Sequence, residues 1–191
     1  MGAYTRSVGD SMIKRNVLLL IAAAMIASVL AAGCTFNVGN PTPSASPTNT
    51  YTSSKGFTIK YSADWSKPQE QQNGTLVLFL TPTNNAAENL NVQVGNLSAN
   101  QTLATLTKDI TSEAQSNDNF TQIEATNTTL AGLPGYKIVY TATVNGDQLK
   151  ALQTLTVKDS KAYVITYKAA PSNYDTYAST AQQMIDSFQI T

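Results

Sequence analysis

Few residues in this chain can do chemistry. Its 191 residues include one cysteine, Cys34, and no histidine. Without histidine there is no Ser-His or Cys-His relay, and a zinc site of the usual His/Cys kind has no ligand set. A single cysteine leaves no disulfide within the chain. What remains is carboxylate chemistry: two acids converging as general acid and base, or oxygen ligands for Ca²⁺ or Mn²⁺. Asp64, Asp159 and Asp175 are the acids to weigh. A carboxylate-dependent envelope enzyme needs such residues to converge in a cleft with shifted pKa values. Two of them have a simpler local use. Asp159 suits a tight turn, and Asp175 sits at the capping-box position of a helix starting at Pro171 and Ser172. The reading therefore assigns no catalytic residue, no metal and no cofactor.

Cys34 points to different chemistry. Arg6, Lys14 and Arg15 precede an apolar run over 17–30. A basic flank, a short apolar run and small residues after it make a secretory signal. The run falls short of the roughly 20 residues of a transmembrane helix. Met12 is as sensible a start as Met1, because Met12-Ile13-Lys14-Arg15 is a compact basic segment. The run ends Leu30-Ala31-Ala32-Gly33-Cys34, which resembles the lipobox of lipoproteins, where cysteine follows small residues and is lipidated after cleavage. The usual leucine three places before cysteine is replaced by Ala31, with Leu30 one place further back. Buried acyl chains contribute about 0.8 kcal/mol per CH₂, so two of them hold a small domain on a membrane. The alternative anchor is the uncleaved hydrophobic segment. Both place the domain outside the cytoplasm, on the outer face of the cell membrane.

The region 34–54 is rich in Thr, Ser and Asn, with Pro41, Pro43 and Pro47. It reads as an extended, mobile stalk, of the kind that carries O-linked sugar. This divides the chain into a signal with lipobox over 1–33, a stalk over 34–54 and a folded domain over 55–191. Charge is balanced, 12 basic against 12 acidic residues, and charged residues make up only 13% of the chain. A nucleic-acid binder would show a basic patch, so no nucleic-acid partner is expected. The expected partners are the membrane and an unidentified envelope protein or ligand.

Two groups of side chains bear on binding. Trp65 with Tyr61 makes either a ligand shelf or a core anchor at a strand end. Tyr163, Tyr167, Tyr174 and Tyr177 make either a binding rim or the packing of a helix on a sheet. Asn73, Asn96, Asn100, Asn119 and Asn127 each open an Asn-X-Ser/Thr sequon, which marks either N-glycosylation of an exported domain or the chance yield of a chain rich in Asn and Thr.

The elements that must position these residues centre on 136–169. Three alternating runs, 136–144, 149–157 and 162–169, are joined by Asn145-Gly146 and Asp159-Ser160. Asn-Gly supplies the positive φ angles of a type I′ hairpin. Tyr136, Ile138, Tyr140, Ala142 and Val144 fall on one face, while Val139, Leu152 and Val164 are the apolar members of the second. Upstream, Phe57, Ile59 and Tyr61 alternate as a first strand, and further strands lie at 75–81, 90–94 and 123–130. Leu103, Leu106, Ile110 and Ala114 have helical spacing, with Asn100 or Ser98 as cap and Gln101 completing a box with Ser98. Tyr174, Tyr177, Ala178, Ala181, Met184, Ile185 and Phe188 line the apolar side of a closing helix. Strands in blocks between single helices mean α+β with a mainly antiparallel sheet, not alternating βαβ.

Three stretches carry a resemblance. They are Gly56-Phe57-Thr58-Ile59-Lys60-Tyr61 with Asp64-Trp65, then Thr129-Leu130-Ala131-Gly132-Leu133-Pro134-Gly135-Tyr136, then Lys161-Ala162-Tyr163-Val164-Ile165-Thr166-Tyr167 with the helix after it. Together they resemble the PsbP-like superfamily, whose members read G-F-x-I-x-Y-P-x-x-W and x-L-x-G-x-P-A-Y at the first two. Ser62 here takes the place of the usual proline and Gly135 that of alanine. The resemblance covers nearly all of 56–191. It implies an αβα sandwich serving as a binding or accessory module. Members include extrinsic subunits of the photosystem II oxygen-evolving complex, a nuclear-import cofactor that binds a small GTPase, and LpqN-type envelope lipoproteins. Together with the anchor, the stalk and the lack of a catalytic constellation, the resemblance implies a non-enzymatic envelope lipoprotein that binds a protein or a lipid-like ligand. A photosystem-type extrinsic subunit is the alternative by family analogy.

Overall fold

A computed structural model of the chain describes residues 46–71, 75–116, 119–144 and 146–191. Five strands come first: β1 (Asn49–Ser53), β2 (Phe57–Tyr61), β3 (Gln69–Gln71), β4 (Leu76–Leu80) and β5 (Asn89–Asn96). Helix α1 (Leu103–Gln115) follows, then β6 (Phe120–Leu130), β7 (Leu133–Val144), β8 (Asp147–Lys158) and β9 (Lys161–Ala169). Helix α2 (Pro171–Asp186) and the short β10 (Gln189–Ile190) close the chain. Seven strands form one sheet in the order β3-β4-β5-β9-β8-β7-β6, every pair antiparallel. A second sheet has the order β1-β2-β10. The architecture is α+β, as the blocks of strands imply.

The meander forms because its turns fit its strands. Asp159 and Ser160 both have positive φ, 51° and 57°, so the β8–β9 connection has the twist of a type I′ turn without any glycine. Ala131 (φ 54°) and Gly132 (φ 73°) make a similar two-residue turn between β6 and β7. Gly146 lies at φ 91° in the β7–β8 turn, while its neighbour Asn145 lies outside the described residues.

Register decides which face each side chain serves. Ile138 pairs with Gln153, and Gln153 with Thr166. Leu155 pairs with Val164, so Val164 shares the face of Tyr136, Ile138 and Tyr140 rather than that of Val139 and Leu152. The two-residue turn at Asp159-Ser160 fixes this, because a one-residue slip would exchange the faces. Helix α1 packs Leu106 and Ile110 against Leu155, Ala162 and Val164. Helix α2 packs Tyr174, Tyr177, Ala181, Met184 and Ile185 in the cluster that holds Val77, Phe79, Leu90, Val92 and Ile165 from the other face. The helices therefore flank the large sheet on opposite sides, here called the α1 face and the α2 face.

Local chemistry sets the helix starts. Thr102 caps α1: the Thr105 amide donates to Thr102 Oγ1 at 3.3 Å, and the Thr102 amide donates to Thr105 Oγ1 at 2.9 Å. Gln101 does reach back to the Ser98 amide at 3.1 Å, but in the turn before the helix, so neither Ser98 nor Asn100 is the cap. Helix α2 starts with Pro171 after Ala170, with no side-chain cap. Asp175 serves no capping box and instead faces Lys150 at 3.4 Å.

Strand β1 lies within the region read as stalk. Tyr51 is the reason, since its ring packs 6.0 Å from Phe57 and 6.1 Å from Phe79 between ring centroids. The ordered fold therefore begins before residue 55.

Gly135 yields a direct prediction. A Cβ there would stand 2.9 Å from the Leu155 carbonyl oxygen and 3.4 Å from the Leu130 nitrogen, both backbone atoms. Gly135→Ala should cost about 1–3 kcal/mol in a urea titration, the usual range for overpacking, although alanine is the residue the resemblance places here. An unchanged midpoint would show that β7 and β8 can move apart at no cost.

Candidate binding site

The aromatic residues lie together on the α2 face, inside the core. Trp65, Tyr163, Tyr167, Tyr174 and Tyr177 are each no more than 6% exposed. Trp65 stands edge-on to Tyr177 at 6.2 Å between centroids and 6.4 Å from Tyr167. Tyr167 packs 5.1 Å from Tyr174 and donates its hydroxyl to the Tyr174 carbonyl at 2.8 Å. Tyr163 meets Phe188 at 6.1 Å. Burial pushes the Tyr174 hydroxyl up to about 12 and raises those of Tyr163, Tyr167 and Tyr177. These side chains join α2 to the sheet, so of the two readings it is the packing of helix on sheet that they serve.

The three acids taken from sequence do not converge. Asp64 is exposed and accepts from the Ser62 hydroxyl. Asp159 is exposed in its turn, and Asp175 is exposed beside Lys150 on α2. Among the described residues, no group of three or more His, Cys, Asp or Glu is placed to hold a metal ion. Among the described residues, the buried acid is one that sequence reading passed over. Glu88 is 2% exposed and accepts from Thr83 Oγ1 at 2.9 Å and from Asn173 Nδ2 at 2.7 Å. It ties the β4–β5 loop to the first turn of α2.

The unexpected arrangement is on the α1 face. Asn89, Asn91 and Gln93 point there from β5, Thr166 and Lys168 from β9, and Gln153 from β8, matched by the register Asn89↔Lys168, Asn91↔Thr166 and Gln153↔Thr166. All six are buried. Leu76 and Leu78 of β4 border this polar row on one side, and Ile138 and Tyr140 of β7 on the other. Asn89 Nδ2 donates to the Ala86 carbonyl at 2.8 Å, and Asn91 Nδ2 donates to Asn89 Oδ1 at 3.1 Å. Gln153 Nε2 donates to Thr166 Oγ1 at 3.0 Å. Burial pulls the Lys168 ammonium down to about 8. Asn91 Oδ1 and Gln93 Oε1 are buried and have no hydrogen-bond partner among the described residues. A buried acceptor left unmade costs about 1–3 kcal/mol, which is why buried polar atoms are normally paired. The sequence signal was the alternation of Asn89, Asn91 and Gln93 with Leu90, Val92 and Val94, which by itself reads as a solvent face.

Of the remaining candidates, Asn96, Asn100, Asn119 and Asn127 are exposed, while Cys34 and Asn73 lie outside the described residues. No helix among the described residues is long and apolar enough to cross a membrane.

Solved structures share the fold at low identity. The solution structure of cyanobacterial PsbP from Synechocystis is 18% identical with a TM-score of 0.56, covering 83% of this chain and 98% of that one. LpqN of Mycobacterium tuberculosis, described as involved in cell envelope biogenesis, is 14% identical with a TM-score of 0.56, covering 71% of this chain and 83% of that one. The Ran-binding protein Mog1p of Saccharomyces cerevisiae is 9% identical with a TM-score of 0.50, covering 71% and 90%. No curated protein sequence matches the chain. A family model described as "PsbP-like protein" matches residues 20–190. With that match spanning most of its length, the chain belongs to the PsbP-like family.

Proposed function

We propose that this chain is a membrane-tethered, extracytoplasmic binding module that works without catalysis. The observation that carries the binding role is the buried polar row on the α1 face, where two acceptors have no partner among the described residues. The tether rests on the leader and on Leu30-Ala31-Ala32-Gly33-Cys34. A lipid on Cys34 holds the domain at the outer face of the cell membrane, and the Thr/Ser/Pro segment gives it reach. The envelope setting of LpqN agrees with this address. The carboxylate-enzyme reading has lost its three named acids to solvent, and the photosystem reading rests on likeness of fold alone.

Affinity enrichment from cross-linked, detergent-solubilised membranes of the native host tests the binding role. The expected result is one protein or ligand that co-purifies in step with the chain under several detergents. A chain that enriches nothing under any of them contradicts the proposal.

A further inference from the structure

The large sheet ends on two unequal edges. One is β3, 3 residues long, and the other is β6, 11 residues long. Among the described residues, no strand lies on the outer side of β6. Its bulge is confined to the shift between Gln122 and Glu124, and from Glu124 to Leu130 its register with β7 is regular. Register also fixes which backbone groups β7 uses. Leu130 and Leu133 close a two-residue turn, so that pair exchanges both of its ladder bonds. Alternation from there turns the N–H and C=O of Thr129, Asn127 and Ala125 outward. Pro134, opposite Thr129, fits this phase: it has no N–H, and its carbonyl accepts from Thr156 Oγ1 of β8 at 2.7 Å.

Long edges are ordinarily blunted by lysine, proline or a free charge. The stretch Glu124–Leu130 has no lysine or proline, and its one charged residue, Glu124, is held by Lys137 at 2.7 Å. Glu124, Thr126, Asn127 and Thr129 are exposed. The stretch is also complementary to itself. With a two-fold axis at Asn127, a second copy runs antiparallel, Ala125 opposite Thr129 and Asn127 opposite Asn127. Every outward group is then used, in about six ladder bonds. Thr126 of each copy faces Thr128 of the other, a favoured cross-strand pair. The two Glu124 carboxylates come to lie about 20 Å apart along the strands, beyond the Debye length of about 8 Å at physiological salt.

We propose that the outer edge of β6 is a self-association site, where two copies of this chain pair antiparallel through Glu124–Leu130 and join their sheets into one. The occupant is a second copy because the stretch presents neutral, self-matching side chains and no free charge that would select another protein. A pair of this length buries far less than the roughly 1,600 Å² of a standard interface, so the dimer is weak in solution. Copies held on one membrane meet at a higher local concentration, which favours it. A sugar on Asn127 would stand on the two-fold axis and exclude pairing. This goes beyond the binding-module reading and does not depend on it.

The test uses the ¹⁵N-labelled full chain, made without glycosylation, in detergent over a concentration series. The expected result is a shift from monomer to dimer in sedimentation, with hydrogen exchange at the backbone amides of Ala125, Asn127 and Thr129 slowed about tenfold as the dimer fills. Asn127→Pro removes an outward N–H that β7 does not use, and Asn127→Lys sets two ammonium groups against each other at the axis. Both variants should keep the fold, stay monomeric throughout the series and exchange fast at those amides. A wild-type chain that is monomeric at every concentration overturns the assignment, and so does a dimer that a folded Asn127→Lys chain still forms. Protection of the same amides in a monomer means that another strand covers the edge, and it overturns the assignment too.

Discussion

Trp65→Ala is expected to cost about 3–5 kcal/mol of folding stability, the range for truncating a large buried aromatic. The indole is 3% exposed and sits where α2 meets the sheet, edge-on to Tyr177 and against Tyr167. Its loss would leave a cavity bounded by side chains that α2 and β9 both need. Closing that cavity would draw α2 inward and strain the Tyr167 hydroxyl bond to the Tyr174 carbonyl. Urea unfolding gives the number directly. A loss within about 0.5 kcal/mol is the behaviour of an exposed side chain and would mean that Trp65 is a ligand shelf after all.

Stability should pass through a maximum near pH 10, because two kinds of buried group pull in opposite directions. Lys168 has its pKa lowered by burial to about 8 in the folded chain, against 10.5 when unfolded. Between those values the unfolded state binds more protons, so stability rises with pH, by about 1.4 kcal/mol per unit at most. The benefit is complete above the unfolded value and is lost as pH falls through about 8. The tyrosines act in the other sense. Burial raises Tyr140, Tyr167 and Tyr174, the last to about 12, while an unfolded tyrosine titrates at 10.0. Above pH 10 the unfolded state sheds these protons first, and stability falls. Urea midpoints from pH 7 to pH 11.5 should therefore climb and then drop. Lys168→Met should raise the midpoint at pH 7, remove the climb and leave the drop in place. A wild-type midpoint that declines steadily from pH 7 would contradict the burial of Lys168.

Much of this was legible in the chain because two periods and a few turn residues decide it. The alternating runs over 136–169 and the helical spacing of Leu103, Leu106 and Ile110 needed no tertiary information. Val164 was assigned to the wrong face because its place depends on counting pairs through Asp159-Ser160, not on the alternation of its own strand. The short β1 was hidden by composition, since Asn49, Thr50, Thr52 and Ser53 look like stalk and Tyr51 supplies its one large apolar contact with the core. The aromatic cluster was ambiguous for another reason. Alternation says which side chains share a face, and it does not say what covers that face. The polar row shows the same limit inverted. Asn89, Asn91 and Gln93 have the pattern of a solvated strand, yet they are buried. The proposed lipidation of Cys34 and glycosylation of the sequons would be covalent events, which no packing argument can reach.

The tether is tested most directly by the intact mass of the protein from native membranes, measured beside its Cys34→Ser variant along with the membrane partition of each. The account predicts a wild-type chain that begins at Cys34, carries acyl mass and stays with the membrane, and a variant that is released or left unprocessed. Further mass in hexose steps, removed by deglycosylation, would place glycan on the exposed sequons. Two chains that both begin at Met1 or Met12 and partition alike would contradict the account and make the hydrophobic segment over 17–30 the anchor.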